Sequence, residues 1–104
     1  MLVENTEINE VKVIHPQIHN DNRGYFFESY SLKSFKDNGL PDHFNQDNEV
    51  FSEKKSVLRG LHYQLEFPQG KIVRAVIGSI LDVAVDVRVG SPTYCKYVMV
   101  ELSS

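Results

Sequence analysis

The chain has 104 residues and a mass of 11.9 kDa, enough for one domain with a modest core. With 41% hydrophobic and 24% charged residues, six Gly and four Pro, it is neither disordered nor collagen-like. A net charge of -3 without a basic tract argues against nucleic acid or an anionic membrane as a partner held by bulk charge. A small anionic ligand, which needs only a few local cations, stays open. The single Cys95 allows no internal disulfide and no multi-cysteine metal site. The start, MLVENTEINE, is polar and acidic where a signal peptide is basic and then apolar. No apolar run approaches the ~20 residues of a membrane helix. These features lead us to expect a soluble cytoplasmic protein.

Taken in order, the elements are mostly of period two. Val11, Val13 and Ile14, ahead of Pro16, predict a short first strand. Asn20-Asp21-Asn22 forms a turn before an aromatic strand, Arg23 to Tyr30. A short helix follows near 31–38: Ser31 or Tyr30 starts it, Leu32 and Phe35 share a face, and Gly39 with Pro41 ends it. Further strands are expected over Asn45–Ser52, Ser56–Gln64, Lys71–Ile77, Ile80–Val89 and Tyr94–Leu102. Glu53-Lys54-Lys55 and Gly90-Ser91-Pro92-Thr93 supply turns, and Leu65–Gly70, with Pro68, a loop. Gly78-Ser79 is a Gly-X link suited to a type II′ hairpin between Lys71–Ile77 and Ile80–Val89. The fold class is therefore all-β, a sandwich or small barrel, with residues 1–104 as one domain. The sequence stops directly after a strand, so a partner chain or further sequence is expected to cover that edge.

Chemistry concentrates in Leu58-Arg59-Gly60-Leu61-His62-Tyr63-Gln64. His62 is the natural general base, because imidazole titrates nearest neutrality, although a lone strand histidine also serves simply to fill a core. Arg59 is a forked donor suited to phosphate. Lys71 is placed either to meet a developing negative charge or to be solvated at a strand end. Strict alternation sets Arg59 opposite His62, so a bulge at Gly60 is expected to re-aim one of them. On Asp82–Val89 the valines face the core, and Asp82, Asp86 and Arg88 face a ligand cavity or solvent. Asp82 and Asp86 stand ~13 Å apart on an extended strand, too far for a paired-carboxylate glycosidase. No Gly-rich phosphate loop, G-x-S-x-G or H-E-x-x-H occurs. Gln64 sits where a second strand histidine would be needed for a metal, and His15, His19 and His43 are scattered, so no metal and no cofactor are expected.

Five segments together carry a resemblance: Asp21–Glu28, Phe44–Asn48, Val57–Gln64, Gln69–Arg74 and Asp82–Thr93. With R-G-L-H-x-Q and D-V-x-V-D-x-R-x-G-S-P-T in order, the sequence resembles the dTDP-4-dehydrorhamnose 3,5-epimerase family across nearly its whole length. The resemblance implies a cupin-type jelly roll, a homodimer with N-terminal strands exchanged between subunits, and a metal-free isomerase acting on a dTDP-sugar. It further implies that Arg23 and Glu28 contact the nucleotide, Gln46 and Asn48 the substrate, and Arg59 the diphosphate. His62 then matches the catalytic base, and Lys71 the residue beside the sugar carbonyl. Family members are longer. Their additional part brings a tyrosine proton donor and an acid that orients the histidine, so this chain reads as the N-terminal portion. The alternative function is a nucleotide-sugar-binding or oligomerising β module without turnover.

Overall fold

A computed structural model describes residues 1–104. Six strands form three separate antiparallel hairpins, with one helix between the second and the third. They are β1 (Leu2–Asn5) with β2 (Lys12–His15), β3 (Ile18–Asp21) with β4 (Gly24–Phe27), α1 (Leu32–Asp37), and β5 (Ser79–Val85) with β6 (Tyr97–Ser103).

The first hairpin is closed by its connecting turn. The Thr6 hydroxyl lies 2.9 Å from the Ile8 carbonyl and 2.8 Å from that of Val11, and its oxygen accepts from the Ile8 amide at 3.2 Å. That turn buries Ile8. Next, β3 and β4 meet through the tip Asn22-Arg23, with Asp21 opposite Gly24. Gly24 has φ +138, a conformation that L side chains rarely adopt. The expected turn thus falls one or two residues late: Asn20 and Asp21 belong to β3, and the aromatic strand covers only Gly24–Phe27.

Local signals place the helix. The Ser31 hydroxyl accepts from the Ser34 amide at 3.3 Å, an N-cap. At the other end Gly39, φ +65, donates to Lys36 O at 3.1 Å and Leu40 donates to Phe35 O at 2.9 Å. Those two bonds make a Schellman motif. Lys33 and Asp37 pair on the outer face. Phe35, the most buried large side chain, meets the ring of Tyr30 edge-on at 4.8 Å, and Tyr30 meets Phe44 at 6.2 Å.

Between residues 40 and 78 the backbone forms no helix and no strand. The expected strands Asn45–Ser52, Ser56–Gln64 and Lys71–Ile77 are therefore absent, and Gly78-Ser79 closes no hairpin. Instead β5 pairs with β6, from Ser79 opposite Ser103 to Val85 opposite Tyr97, with Ser104 donating to Gly78 O at 3.0 Å. The physical reason is the need for a partner. Period two makes one face apolar, but a strand exists only where a neighbour satisfies its amides.

Burial is correspondingly slight. Only Ile8, Phe35 and Asp86 are buried, and the accessible surface is 9475 Å². A compact chain of this mass exposes about 6,000 Å². The radius of gyration is 15.3 Å against about 13 Å for a compact chain of this length. The apolar faces of the hairpins are at most half-buried, as at Val98, Val100 and Leu102 of β6.

Candidate functional site

All seven residues that the sequence singles out are exposed. Arg23 projects from the tip of the second hairpin and is held by Asp21: its backbone amide donates to Oδ1 at 2.8 Å, and Nε and Nη2 donate to Oδ2 at 3.1 and 2.6 Å. That guanidinium holds the Asp21 carboxyl below its ordinary value. Glu28, just past β4, accepts from the Ser34 hydroxyl at 3.1 Å, which ties the hairpin to the first turn of α1. Gln46 Nε2 donates to Asn48 Oδ1 at 2.9 Å, so these two stand together.

Arg59 folds back on its own segment. Its Nη2 lies 3.3 Å from the Ser52 hydroxyl and 3.5 Å from the Phe51 carbonyl, and these bonds reach neither His62 nor Lys71. Gly60 lies in no strand, so the expected bulge does not form. Its backbone is nonetheless irregular, with φ +104, and a Cβ there would stand 3.4 Å from the His62 amide and 3.6 Å from His62 Nδ1. It is the positive φ, a conformation that L side chains rarely adopt, rather than lack of space that favours glycine beside His62. No three His, Cys, Asp or Glu side chains gather into a cluster that would hold a metal ion, and no helix is long and apolar enough to cross a membrane.

The most highly built polar cluster lies elsewhere, on Asp86 and Arg88, expected to face a ligand cavity or solvent, and on Ser91 and Thr93 of the expected Gly90–Thr93 turn. Asp86, its side chain 1% exposed, accepts five hydrogen bonds. Oδ1 takes the Arg88 amide at 3.0 Å and Arg88 Nε at 2.9 Å; Oδ2 takes Arg88 Nη2 at 2.9 Å and the hydroxyls of Ser91 and Thr93, both at 2.6 Å. Its backbone closes the loop as well, with Asp86 N donating to Lys96 O at 2.9 Å and Cys95 N to Asp86 O at 2.8 Å. Arg88 first, then Ser91 and Thr93, hold the carboxyl far below the usual carboxylate range. Arg88 is raised in turn, mainly by Asp86 and then by Glu10.

Asp86 faces inward because its five acceptor contacts replace water; an ionised carboxylate tolerates burial only when so satisfied. Val87 and Val89, expected in the core, are 45% and 87% exposed. The spacing D-x-R-x-G-S-P-T held the signal. An aspartate followed by an arginine at +2 and hydroxyls at +5 and +7 across a Gly-Ser-Pro turn is a local hydrogen-bond set, which alternation alone cannot reveal.

The family model for dTDP-4-dehydrorhamnose 3,5-epimerase matches residues 5–104. The dTDP-4-dehydrorhamnose 3,5-epimerase of Sinorhizobium fredii is 51% identical over 104 residues, which are 99% of this chain and 53% of the relative. A Legionella pneumophila dTDP-6-deoxy-D-glucose-3,5-epimerase, solved in complex with dTDP-4-keto-L-rhamnose, aligns with a TM-score of 0.89 at 49% identity, covering 98% of this chain and 54% of that one. The Bacillus anthracis dTDP-4-dehydrorhamnose 3,5-epimerase, with TDP and PPi bound, aligns with a TM-score of 0.93 at 35% identity, covering 98% and 59%. The chain spans about half the length of the relatives it matches. The three hairpins thus belong to a cupin-type all-β fold that they do not close by themselves. By the span of the family match and by its likeness to these structures, the chain belongs to the dTDP-4-dehydrorhamnose 3,5-epimerase family.

Proposed function

We propose that the chain serves the epimerisation of dTDP-4-dehydro-6-deoxy-D-glucose at C3 and C5 to dTDP-4-dehydro-L-rhamnose, an isomerase reaction needing no cofactor. The observation that carries this reading is the family match over residues 5–104, which contains all seven singled-out positions. The 4-keto group acidifies the protons at C3 and C5. Neutral His62 removes each of them, and Lys71 stabilises the enolate oxygen that develops. Arg59 binds the diphosphate, Arg23 and Glu28 the nucleotide, and Gln46 with Asn48 the sugar. A separate acid on the opposite face returns the proton with inversion. In this reading residues 1–104 are the N-terminal part of one jelly-roll domain, which acts in the cytoplasm as a homodimer with N-terminal strands exchanged. The free edge of β1 is suited to such pairing.

The test is incorporation of solvent deuterium at C3 and C5 of the dTDP-4-keto-6-deoxy sugar, read by NMR. Label at both carbons that falls by about 10²–10⁴ in His62→Asn supports the base assignment. A second reading, a nucleotide-sugar-binding β module without turnover, is favoured by the exposure of His62, Lys71 and Arg59. Absence of label, with binding of the dTDP-sugar retained, would establish that reading instead.

A further inference from the structure

The first and third hairpins form separate sheets that share no backbone hydrogen bonds. The turn of the first hairpin meets the end of β5 and the residues just beyond it. Ile8, buried to 3% exposure, lies with Glu10 and Val11 around a small concavity whose other wall is Ala84–Arg88. Across its mouth the Glu10 carboxylate takes both arms of the Arg88 guanidinium: Nη1 to Oε1 at 2.8 Å and Nη2 to Oε2 at 3.2 Å. The two residues stand 78 positions apart in the chain.

We propose that the Glu10–Arg88 pair is a clasp that locks the N-terminal hairpin onto the β5–β6 hairpin. The proposal stands on geometry and holds whichever ligand Arg23 and Glu28 meet.

Two features distinguish this pair from an ordinary surface ion pair. Holding a long arginine in one geometry usually consumes most of what an exposed pair gains. Here Asp86 already fixes the guanidinium from two of its nitrogens and the Arg88 backbone amide, so Glu10 meets a preformed fork. In addition, a lone two-stranded hairpin is marginal in water. The order of β1 and β2 therefore depends on docking, to which Ile8 contributes the apolar part and Glu10 the ionic part. Opening the clasp frees the hairpin as a unit while the Asp86 knot on the other side stays closed.

Amide hydrogen exchange on the full chain tests this, comparing Glu10→Gln and Glu10→Ala with the native sequence. Glu10 is exposed and makes no bond to Asp86, so both variants keep the knot. Exchange at the β1 and β2 amides is expected to quicken roughly two- to fivefold in either variant, with β5 and β6 unchanged. Raising salt from about 0.05 M to about 0.5 M should quicken β1–β2 exchange in the native chain and leave the variants little affected. Unchanged β1–β2 exchange in both variants would overturn the clasp. So would equal acceleration in both hairpins, which would report a general loss of stability rather than release of one arm.

Discussion

Phenylalanine 35 and phenylalanine 51 look alike in the sequence, each an aromatic within an apolar pattern, and the fold separates them. Phe35 is 2% exposed and Phe51 is 81% exposed. Truncating Phe35 to alanine removes a ring that buries on the order of 150–250 Å². At about 25 cal/mol per Å², that burial is worth about 4–6 kcal/mol. Losing the edge contact with Tyr30 at 4.8 Å adds about 0.5–1.5 kcal/mol. The sparse surroundings work the other way, because neighbours that are themselves half exposed collapse into the space. The low end of the range for Phe→Ala, about 3 kcal/mol, is therefore expected.

Phe51→Ala removes a ring that already lies in water and is expected to change stability by less than about 0.5 kcal/mol. The assay is urea unfolding of both variants by far-ultraviolet circular dichroism. Phe35→Leu, at about 1 kcal/mol, is the milder variant should the alanine leave no folded baseline. A loss for Phe51→Ala comparable with that for Phe35→Ala would refute the reasoning, because Phe51 would then be covered in solution. So would a loss below about 1 kcal/mol for Phe35→Ala.

Gly39→Ala places a Cβ at φ +65 in the Schellman motif and should destabilise by about 1–2 kcal/mol, read from the same urea transitions. Gly60→Ala at φ +104 should introduce about 1–3 kcal/mol of backbone strain beside His62; a shift of the His62 imidazole resonances in NMR, with β5–β6 resonances unmoved, checks that the effect is local. Asp86 gives a pH prediction. Its folded pKa lies below its unfolded value, so its contribution is fully present above the unfolded pKa near ~3.9 and is lost as pH falls toward the folded one. Thermal melts should therefore drop steeply in acid for the native chain. Asp86→Asn should be less stable at neutral pH and show a flatter acid limb, and equal slopes in the two would remove Asp86 as the cause.

How much of this was legible follows from where each signal resides. The helix was readable to within a residue because Ser31, Phe35, Gly39 and Leu40 act on each other within ten positions. The strand Ile80 onward was readable too, since Leu81, Val83 and Val85 alternate against their neighbours. It ends at Val85 rather than Val89 because Asp86 turns inward to its five donors. The stretch from Asn45 to Ile77 was misread for the opposite reason. Its period two is real, but a pleated face becomes a strand only beside a partner, and no partner is adjacent in this chain. The roles expected of Arg59, His62 and Lys71 rest on a family likeness alone: nothing in their spacing brings their side chains together, and the fold leaves each of them exposed.

The two signatures that carried the family likeness therefore belong to different levels of the molecule. D-x-R-x-G-S-P-T is self-sufficient: its aspartate, arginine, serine and threonine satisfy one another inside eight residues, and Arg88 still turns Nη1, which the knot does not use, together with Nη2 to Glu10. It forms wherever the β5–β6 hairpin forms. R-G-L-H-x-Q is not self-sufficient, because a histidine base needs a neighbour to fix its tautomer and a lysine needs the same cavity. Leu58, Leu61 and Tyr63 around it are 91%, 69% and 65% exposed, a pattern that gains free energy only when another sheet covers it. In the proposed function, burial of those three side chains and assembly of His62 with Lys71 are one event. On that proposal, a form active on the dTDP-sugar also protects the Leu58, Leu61 and Tyr63 amides from exchange. An active form in which those amides still exchange freely would separate the two and refute the coupling.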